Sequence, residues 1–114
     1  MITRAEILDI KALATKQGRE DLGAFIAEGE KLVEEILDSH FVVRRVLTTD
    51  AKHKGANIEL ITKQEMERIS QLKSATDTLA IVEQPRHTLS IKRLCGRLTI
   101  ALDGVQTPGN MGTI

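Results

Sequence analysis

The run Leu79-Ala-Ile-Val82 is apolar at every position. A strand without a polar face packs on both sides, so this run predicts a strand in the interior of a sheet. Stretches rich in apolar or β-branched residues at 24–27, 41–49 and 58–61 predict further strands. We therefore expect a sheet with helices on both of its faces.

The first helix is expected before the first strand. Thr3 and Glu6 have the spacing of a capping box, in which the hydroxyl and the carboxylate satisfy free helix amides. Apolar residues at helical spacing follow, so the sequence predicts a helix over about 3–15. Gly18 would serve as its C-cap.

Two further helices are expected between the strands. Gly29 precedes apolar residues at helical spacing through about residue 37, with acidic residues on the opposite side. A second capping box at 62–65 predicts a helix through Leu72, which would face the core. Thr49, Asp50 and the stretch 52–55 are expected to form a turn or a single helical turn. The order α-β-α-β-β-α-β, followed by one more strand, is typical of a small α/β sandwich.

The composition is that of one ordinary domain: 114 residues, 41% hydrophobic and 28% charged. Sixteen Lys and Arg balance sixteen Asp and Glu, which excludes a globally basic nucleic-acid binder but not a local patch. Residues 21–40 carry a net charge of −5 and residues 81–100 carry +3, which the plainest interpretation assigns to solvated helix faces and a polar linker. Phe25 and Phe41 are the only aromatic residues, which argues against a base-stacking surface.

Neither a membrane span nor a metal centre is expected. No apolar run approaches the roughly 20 residues that a membrane helix needs. The single cysteine, Cys95, excludes an internal disulfide and a cysteine-based metal cluster, and it suits a cytoplasmic protein. The three histidines, His40, His53 and His87, lack the spacing of metal ligands.

The end of the chain combines a strand pattern with a glycine-rich loop. Leu98-Thr-Ile-Ala-Leu102 predicts a last buried strand, and residues 103–114 follow it. Such a strand normally leads to a helix that covers the sheet, and none is expected here. Either the strand joins the first sheet or the chain is the N-terminal piece of a longer protein, and we favour the second. The loop is either a plain turn or a ligand loop, in which Asn110 would offer an amide donor and acceptor.

A cluster of cations lies near the N-terminus. We expect Lys11 on the polar side of the first helix, and Lys16 and Arg19 in the loop after it. Such side chains contact phosphates and fix orientation without reading sequence. Three cations in nine residues are also common on ordinary surfaces, so the cluster alone does not establish a nucleic-acid site.

Two segments resemble a known family. Phe25-Ile-Ala-Glu-Gly29-Glu30, preceded by the spacing of Lys11, Lys16 and Arg19, resembles the N-terminal substrate-binding domain of SpoU/TrmH-type RNA 2′-O-ribose methyltransferases. Residues 102–114 resemble the first motif of that family's catalytic domain, with Thr107-Pro108 where the family usually has Asp-Pro. The segments stand in the family's order, and the resemblance covers essentially the whole chain.

The resemblance implies a division of the chain. Residues 1–83 would be an RNA substrate-binding domain, an α/β/α sandwich like that of kink-turn-binding ribosomal proteins, and residues 84–96 would be a linker. Residues 97–114 would hold the first strand of a trefoil-knotted SPOUT methyltransferase domain, which in the family binds S-adenosylmethionine and dimerises. Asn110 would belong to the active site. The catalytic Arg lies beyond this motif, so these 114 residues are expected to bind no methyl donor and to be inactive.

The resemblance also implies where RNA would bind. Phosphates would contact Lys11, Lys16 and Arg19, and also the amides at the helix start Gly29-Glu30-Lys31. Glu28 and Glu30 would orient Arg19 or the loop, or meet base edges.

The intact protein would be a cytoplasmic rRNA or tRNA 2′-O-ribose methyltransferase and a homodimer, with RNA as its partner and neither metal nor membrane involved. Two other interpretations stay open. One is a stand-alone ribosomal-protein-like RNA-binding module; the other is a protein-interaction domain, which the acidic second helix and the zero net charge would suit.

Overall fold

A four-stranded sheet forms the centre of the computed structural model, which describes residues 2–53 and 55–114. The strands are β1 (Ala24–Glu28), β2 (Val43–Thr48), β3 (Ile58–Leu60) and β4 (Thr78–Glu83), and they lie in the order β1-β4-β2-β3. β4 runs antiparallel to both β1 and β2, whereas β2 and β3 are parallel. The prediction that residues 79–82 lie inside a sheet is confirmed.

The strand directions give the sheet two distinct ends. β1, β2 and β3 run the same way, so their last residues and the first residue of β4 reach one end, which we call the carboxyl end. At the opposite, amino end, Ala24 at the start of β1 pairs with Glu83 at the end of β4. Ligands of open α/β sheets usually bind outside the carboxyl ends of the strands.

Helices connect the strands and cover the sheet. Before and between the strands lie α1 (Arg4–Ala12), α2 (Lys16–Leu22), α3 (Glu30–Leu37) and α4 (Lys63–Ile69). After β4 come the short helices α5 (Ile91–Leu94) and α6 (Pro108–Thr113). Among the described residues, no helix combines the length and the apolar character that crossing a bilayer would require.

Two apolar layers, one on each face of the sheet, stabilise the domain. α1 and α4 pack on one face, and α3 packs on the other. β4 alternates between the layers, because Leu79 and Ile81 belong to the layer under α1 and α4 whereas Ala80 and Val82 belong to the layer under α3. Full burial of a side chain such as leucine or valine contributes roughly 1.5–3 kcal/mol. The expected sandwich is therefore confirmed.

The first helix is shorter than predicted, and Gly18 does not end it. α1 begins at the capping box, where the Glu6 amide donates to Thr3 Oγ1 over 3.2 Å, but it ends at Ala12. Thr15 starts α2 soon afterwards, because its Oγ1 accepts a hydrogen bond from the Gly18 amide at 3.1 Å. A Cβ atom on Gly18 would stand 1.9 Å from the Ala12 carbonyl oxygen. The close approach of α2 to the end of α1 therefore requires glycine at this position.

α4 also ends earlier than predicted. Its capping box is present, with the Glu65 amide donating to Thr62 Oγ1 over 3.1 Å. The helix stops at Ile69, and Ser70 has an extended backbone. Leu72 consequently lies outside the helix and is 52% exposed, so the prediction that it faces the core is wrong.

The predicted last strand is absent. Residues 98–103 form neither helix nor strand, and Leu98, Ile100 and Leu102 are exposed, the first of them to 95%. A strand needs a hydrogen-bonded neighbour, and within the described residues this segment pairs with none. A short helix, α6, follows the loop, although none was expected there. The radius of gyration is 16.5 Å, against about 13 Å for a compact chain of this length, because the chain after β4 adds little to the compact body.

Candidate nucleic-acid interface

β1 separates the residues predicted to contact RNA into two groups. A single residue, Gly23, separates the end of α2 from β1, and a single residue, Gly29, separates β1 from the start of α3. β1 has five residues, which at about 3.3 Å per residue span about 13 Å. We name the groups by the end of the sheet near which they lie: the amino-end group (Lys11, Lys16 and Arg19) and the carboxyl-end group (Glu28, Gly29, Glu30 and Lys31).

Two cations of the amino-end group are exposed. Lys11 lies in the last turn of α1. Lys16 is the first residue of α2 rather than part of a loop, and its side chain is 85% exposed. Its Nζ lies 3.9 Å from Glu20 Oε1, a distance at which an exposed pair contributes little. Both side chains can therefore reach a phosphate.

Arg19, by contrast, is bound to the protein itself. It lies inside α2, so its predicted place in a loop is wrong. Its Nη1 donates to the carbonyl oxygens of Leu13 and Ala14 over 3.1 and 3.2 Å. These oxygens follow the last turn of α1, where a cation is favoured by the helix dipole. The guanidinium thus holds α2 against the end of α1, and its predicted contact with RNA stays a prediction.

Gly29 begins α3 at the carboxyl end of the sheet. Its φ of 109° is a conformation that other residues rarely adopt. Its amide donates to the Thr78 carbonyl oxygen over 2.9 Å, which fixes the start of α3 beside β4. Gly29 has no side chain to cap the helix, and no heavy atom lies within 4 Å of the place a Cβ would take. The first amides of α3, followed by the exposed Lys31, therefore have room for an outside acceptor.

Glu28 binds the segment that follows α4. Its carboxylate accepts hydrogen bonds from Ser70 Oγ at 2.6 Å and from the Gln71 amide at 2.9 Å. The contact draws the chain away from helical geometry, which explains why α4 ends at Ile69. Of the roles expected for Glu28, the structure shows the orientation of a loop, and the loop is residues 70–77 rather than the one that carries Arg19.

The other acidic groups at this end also have partners. Glu30 Oε1 lies 3.2 Å from His53 Nε2, a contact that becomes an ion pair when the imidazole is protonated. Asp77 accepts from Thr49 Oγ1 over 2.8 Å. Three segments (28–30, 49–53 and 70–77) are thus joined by side-chain hydrogen bonds.

The sequence singled out no residue of 49–53 or 70–77 as part of the site. Their place in the chain could have indicated them, because both segments flank strands that end or begin at the carboxyl end of the sheet, where ligands usually bind. The predicted turn at 52–55 includes Lys54, which lies outside the described residues. Before it, Asp50 Oδ1 accepts from the Lys52 amide over 2.9 Å, as in a turn.

Asn110 lies far along the chain from both groups, in the exposed helix α6. It borders an open concavity that residues 104–107 also line. The structure does not bring Asn110 into either group, and its expected part in an active site stays a prediction.

Comparison with known proteins supports the sequence resemblance. Residues 4–89, which include α1 to β4, match the family model of the MRM3-like substrate-binding domain. RlmP of Bacillus subtilis (strain 168), a 23S rRNA (guanosine(2553)-2′-O)-methyltransferase, is 28% identical over 115 residues, which cover 96% of this chain and 45% of that protein. The chain thus spans less than half the length of this relative.

Solved structures share the fold. A protein from Porphyromonas gingivalis assigned to the TrmH family of RNA methyltransferases matches with a TM-score of 0.70 and 24% identity, over 99% of this chain and 46% of its own. The AdoMet-bound rRNA methyltransferase from Sinorhizobium meliloti matches with a TM-score of 0.63 and 22% identity, over 76% and 36%. Neither match tests the likeness to kink-turn-binding ribosomal proteins, which stays a prediction.

The family match and the shared fold agree with the residues that carried the resemblance. The matched region contains the 25–30 segment and the whole sheet. The expected relation to the SpoU/TrmH family is therefore confirmed, and the chain belongs to the family of MRM3-like substrate-binding domains.

Proposed function

We propose that this chain is the RNA-binding part of an S-adenosylmethionine-dependent RNA 2′-O-ribose methyltransferase. The observation that carries the proposal is the match of residues 4–89 to a substrate-binding domain family, because it covers the sheet and α1 to α4. The name of the Bacillus subtilis relative specifies a ribosomal RNA and a 2′-O position. That name supports rRNA as the substrate class, with tRNA as the alternative.

The proposed division of the chain has three parts. Residues 1–83 are the RNA substrate-binding domain, residues 84–96 are a linker, and residues 97–114 begin the SPOUT methyltransferase domain. A hydrogen bond of 2.9 Å from the Gln84 amide to the Gly23 carbonyl oxygen supports the first boundary, because it ties the chain to the sheet directly after β4. The intact enzyme is proposed to be a cytoplasmic homodimer.

We expect that residues 97–114 do not form a site for S-adenosylmethionine by themselves. The apolar side chains of Leu98 and Ile100 are 95% and 70% exposed, and the concavity beside Asn110 is open to solvent. Methyl transfer needs a pocket that excludes water and fixes the donor in line with the acceptor hydroxyl. We therefore expect these 114 residues to bind RNA without transferring methyl groups, and Asn110 to act only together with the remainder of a catalytic domain.

RNA binding would use both ends of β1. At the amino end, Lys11 and Lys16 offer exposed cations, with Arg19 behind them. At the carboxyl end, Lys31 and the first amides of α3 would donate to a phosphate, while Glu28 is turned toward residues 70–77. A ligand that reaches both ends must extend over at least the length of β1, about 13 Å, and from the α1 face of the sheet to the α3 face. A folded RNA therefore suits the site better than a single nucleotide.

The test is a fluorescence-anisotropy titration of the chain with structured rRNA fragments at several salt concentrations. The variants are Lys11→Glu/Lys16→Glu for the amino end and Lys31→Glu for the carboxyl end. Arg4→Glu is the matched control for the single reversal, because Arg4 is exposed in the first turn of α1, where an acidic residue suits the helix dipole. Arg4→Glu/Arg68→Glu, which reverses two exposed helix charges, is the control for the double reversal. We expect salt-sensitive binding that both test variants weaken and the controls leave nearly unchanged.

Two results would contradict the proposal. Equal losses in the test and control variants would mean that RNA is attracted by charge in general and not by these two ends. Absence of binding by the unaltered chain would favour a protein-interaction domain. The observation that supports this alternative is the exposed acidic side of α3 and its C-cap, formed by Glu34, Glu35 and Asp38.

A further inference from the structure

Charge is divided between the folded body and the chain that leaves it. Residues 1–83 contain twelve Lys and Arg against fifteen Asp and Glu, a net charge of −3. Residues 84–114 contain four Lys and Arg against one Asp, a net charge of +3. A body of negative charge repels a polyanion at long range, so cations that stand apart from it add an attraction that the body as a whole does not supply.

The four cations after β4 are Arg86, Lys92, Arg93 and Arg97, and all are exposed. In the part of the chain that the structure describes, none of them forms an ion pair. The arginines of β2 differ, because Arg44 pairs with Glu83 at 3.3 Å and Arg45 pairs with Glu6 and Glu59. Residues 84–97 contain no acidic residue at all. Their positive charge is therefore not neutralised within the segment.

The segment leaves the body at the amino end of the sheet, near which the amino-end group also lies. The hydrogen bond from Gln84 to Gly23 fixes its first residue next to the C-cap of α2, the helix that carries Lys16 and Arg19. Arg86 borders the same surface depression as Glu20 and Asp21 of α2.

The three acids in that depression, Glu20, Asp21 and Glu83, already have partners. Glu83 Oε1 lies 3.3 Å from Arg44 Nε, and the other two have partners on their own helix. Glu20 lies 3.9 Å from the Lys16 ammonium, and Asp21 accepts from Gln17 Nε2 over 2.7 Å. Arg86 thus lies across this depression from α2, the helix that begins with Lys16.

The side chains of the three remaining cations point in different directions. Lys92 and Arg93 are neighbours in a helix, so their side chains diverge by about 100°. Gly96, with a φ of 71°, then turns the chain before Arg97. Cations that point in several directions suit contacts with successive phosphates rather than a single anion site.

We propose that residues 84–97 form a cationic arm that binds the phosphate backbone of the RNA, next to the amino-end group. The arm supplies affinity that does not depend on base sequence, while the body provides the selective contacts. This inference rests on the proposed function, because it needs an RNA ligand.

The experiment measures how RNA affinity depends on salt. The chain and the variant Arg86→Gln/Lys92→Gln/Arg93→Gln/Arg97→Gln are titrated, from 50 to 300 mM salt, with a structured rRNA hairpin and with a hairpin of shuffled sequence. Each phosphate contact contributes about 0.7–0.9 to the slope of log affinity against log salt, so loss of four contacts lowers the slope by about 3. The affinity for both hairpins should fall by the same factor.

A matched pair of double variants controls for the loss of charge. Lys92→Gln/Arg93→Gln should lower the slope by about 1.5, whereas Arg4→Gln/Arg68→Gln, which removes two exposed helix charges of the body, should leave it unchanged. Far-UV circular dichroism confirms the fold of each variant.

Three outcomes would contradict the proposal that residues 84–97 bind RNA. An unchanged slope in the quadruple variant, with RNA still bound, rejects the arm and leaves the proposed function standing. Absence of binding by the unaltered chain rejects both. Self-association at low salt that the quadruple variant abolishes, seen by analytical ultracentrifugation, would show that the arm binds the acidic α3 of a second copy instead.

Discussion

Replacing Glu28 by alanine should release residues 70–77 and leave the sheet intact. The carboxylate accepts two hydrogen bonds, from Ser70 Oγ at 2.6 Å and from the Gln71 amide at 2.9 Å. Hydrogen bonds to a charged group contribute about 1.5–3 kcal/mol each when buried, but here both donors can turn to water, so we expect a loss of about 1–2 kcal/mol in total. For a domain of this size, such a loss lowers Tm by roughly 5–10 °C.

Hydrogen exchange locates the effect. The Gln71 amide loses its acceptor in Glu28→Ala, so its exchange should accelerate at least tenfold, while the amides of β4 should change only as far as global stability changes. Glu28→Gln keeps one acceptor oxygen and should retain part of the protection. Glu67→Ala, on the exposed side of α4, is the matched control. If Glu28→Ala and Glu67→Ala show the same Tm and the same Gln71 exchange, Glu28 does not hold the loop and the reasoning fails.

Three further predictions concern the body of the domain. Gly18→Ala forces a Cβ to within 1.9 Å of the backbone of α1, and it should cost more than about 3 kcal/mol in urea unfolding; a loss below 1 kcal/mol would show that the two helices separate easily. Leu47→Ala, at a fully buried position, should cost about 2–5 kcal/mol, whereas Leu8→Ala, at a side chain that is 61% exposed, should change the free energy of unfolding by less than about 0.5 kcal/mol. Backbone hydrogen bonds in the two capping boxes hold the pKa of Glu6 and of Glu65 below the ordinary value of 4.5. The two carboxylates therefore stabilise the fold fully above that pH. This stabilisation is lost as the pH falls through the lower pKa that each group has in the folded state. The Tm of Glu6→Gln/Glu65→Gln should therefore fall less between pH 6 and pH 3 than the Tm of the unaltered chain. An identical fall would contradict the stabilising role given to the two carboxylates.

The parts of the fold that the sequence predicts well are those set by local chemistry. Both capping boxes form as expected because Thr3 and Thr62 satisfy amides of their own helices. The central position of β4 follows from an apolar run that only an interior strand can bury.

The predictions were wrong where contacts between residues far apart in the sequence determine the local structure. Gly18 looks like a helix end, but the approach of α2 to α1 gives it another role. Leu72 continues the helical spacing of α4, yet Glu28, 42 residues from Ser70 in sequence, draws the chain away from the helix. Leu98, Ile100 and Leu102 have a strand pattern, but a pattern supplies no neighbouring strand.

The site shows the same limit. Spacing grouped Lys11, Lys16 and Arg19 correctly at one end of β1, but it could not show that the Arg19 guanidinium is bound to α1. The glutamates of 28–30 looked poorly suited to a phosphate ligand. Their partners, Ser70 and His53, come from other loops that only the folded sheet brings near.

The order of the strands also governs how a nascent chain can fold. β4, the last strand to be synthesised, lies between β1 and β2. Ala24 of β1 therefore cannot pair until Glu83, 59 residues further along the chain, has been synthesised. Until the ribosome has released β4, β1 has no neighbour and the two halves of the sheet stay apart. Such long-range pairing makes folding slow, and it makes it concerted, since no shorter N-terminal piece can assemble the sheet. Once Glu83 has emerged, however, all four strands are available, so the body can close without any contribution from residues 97–114.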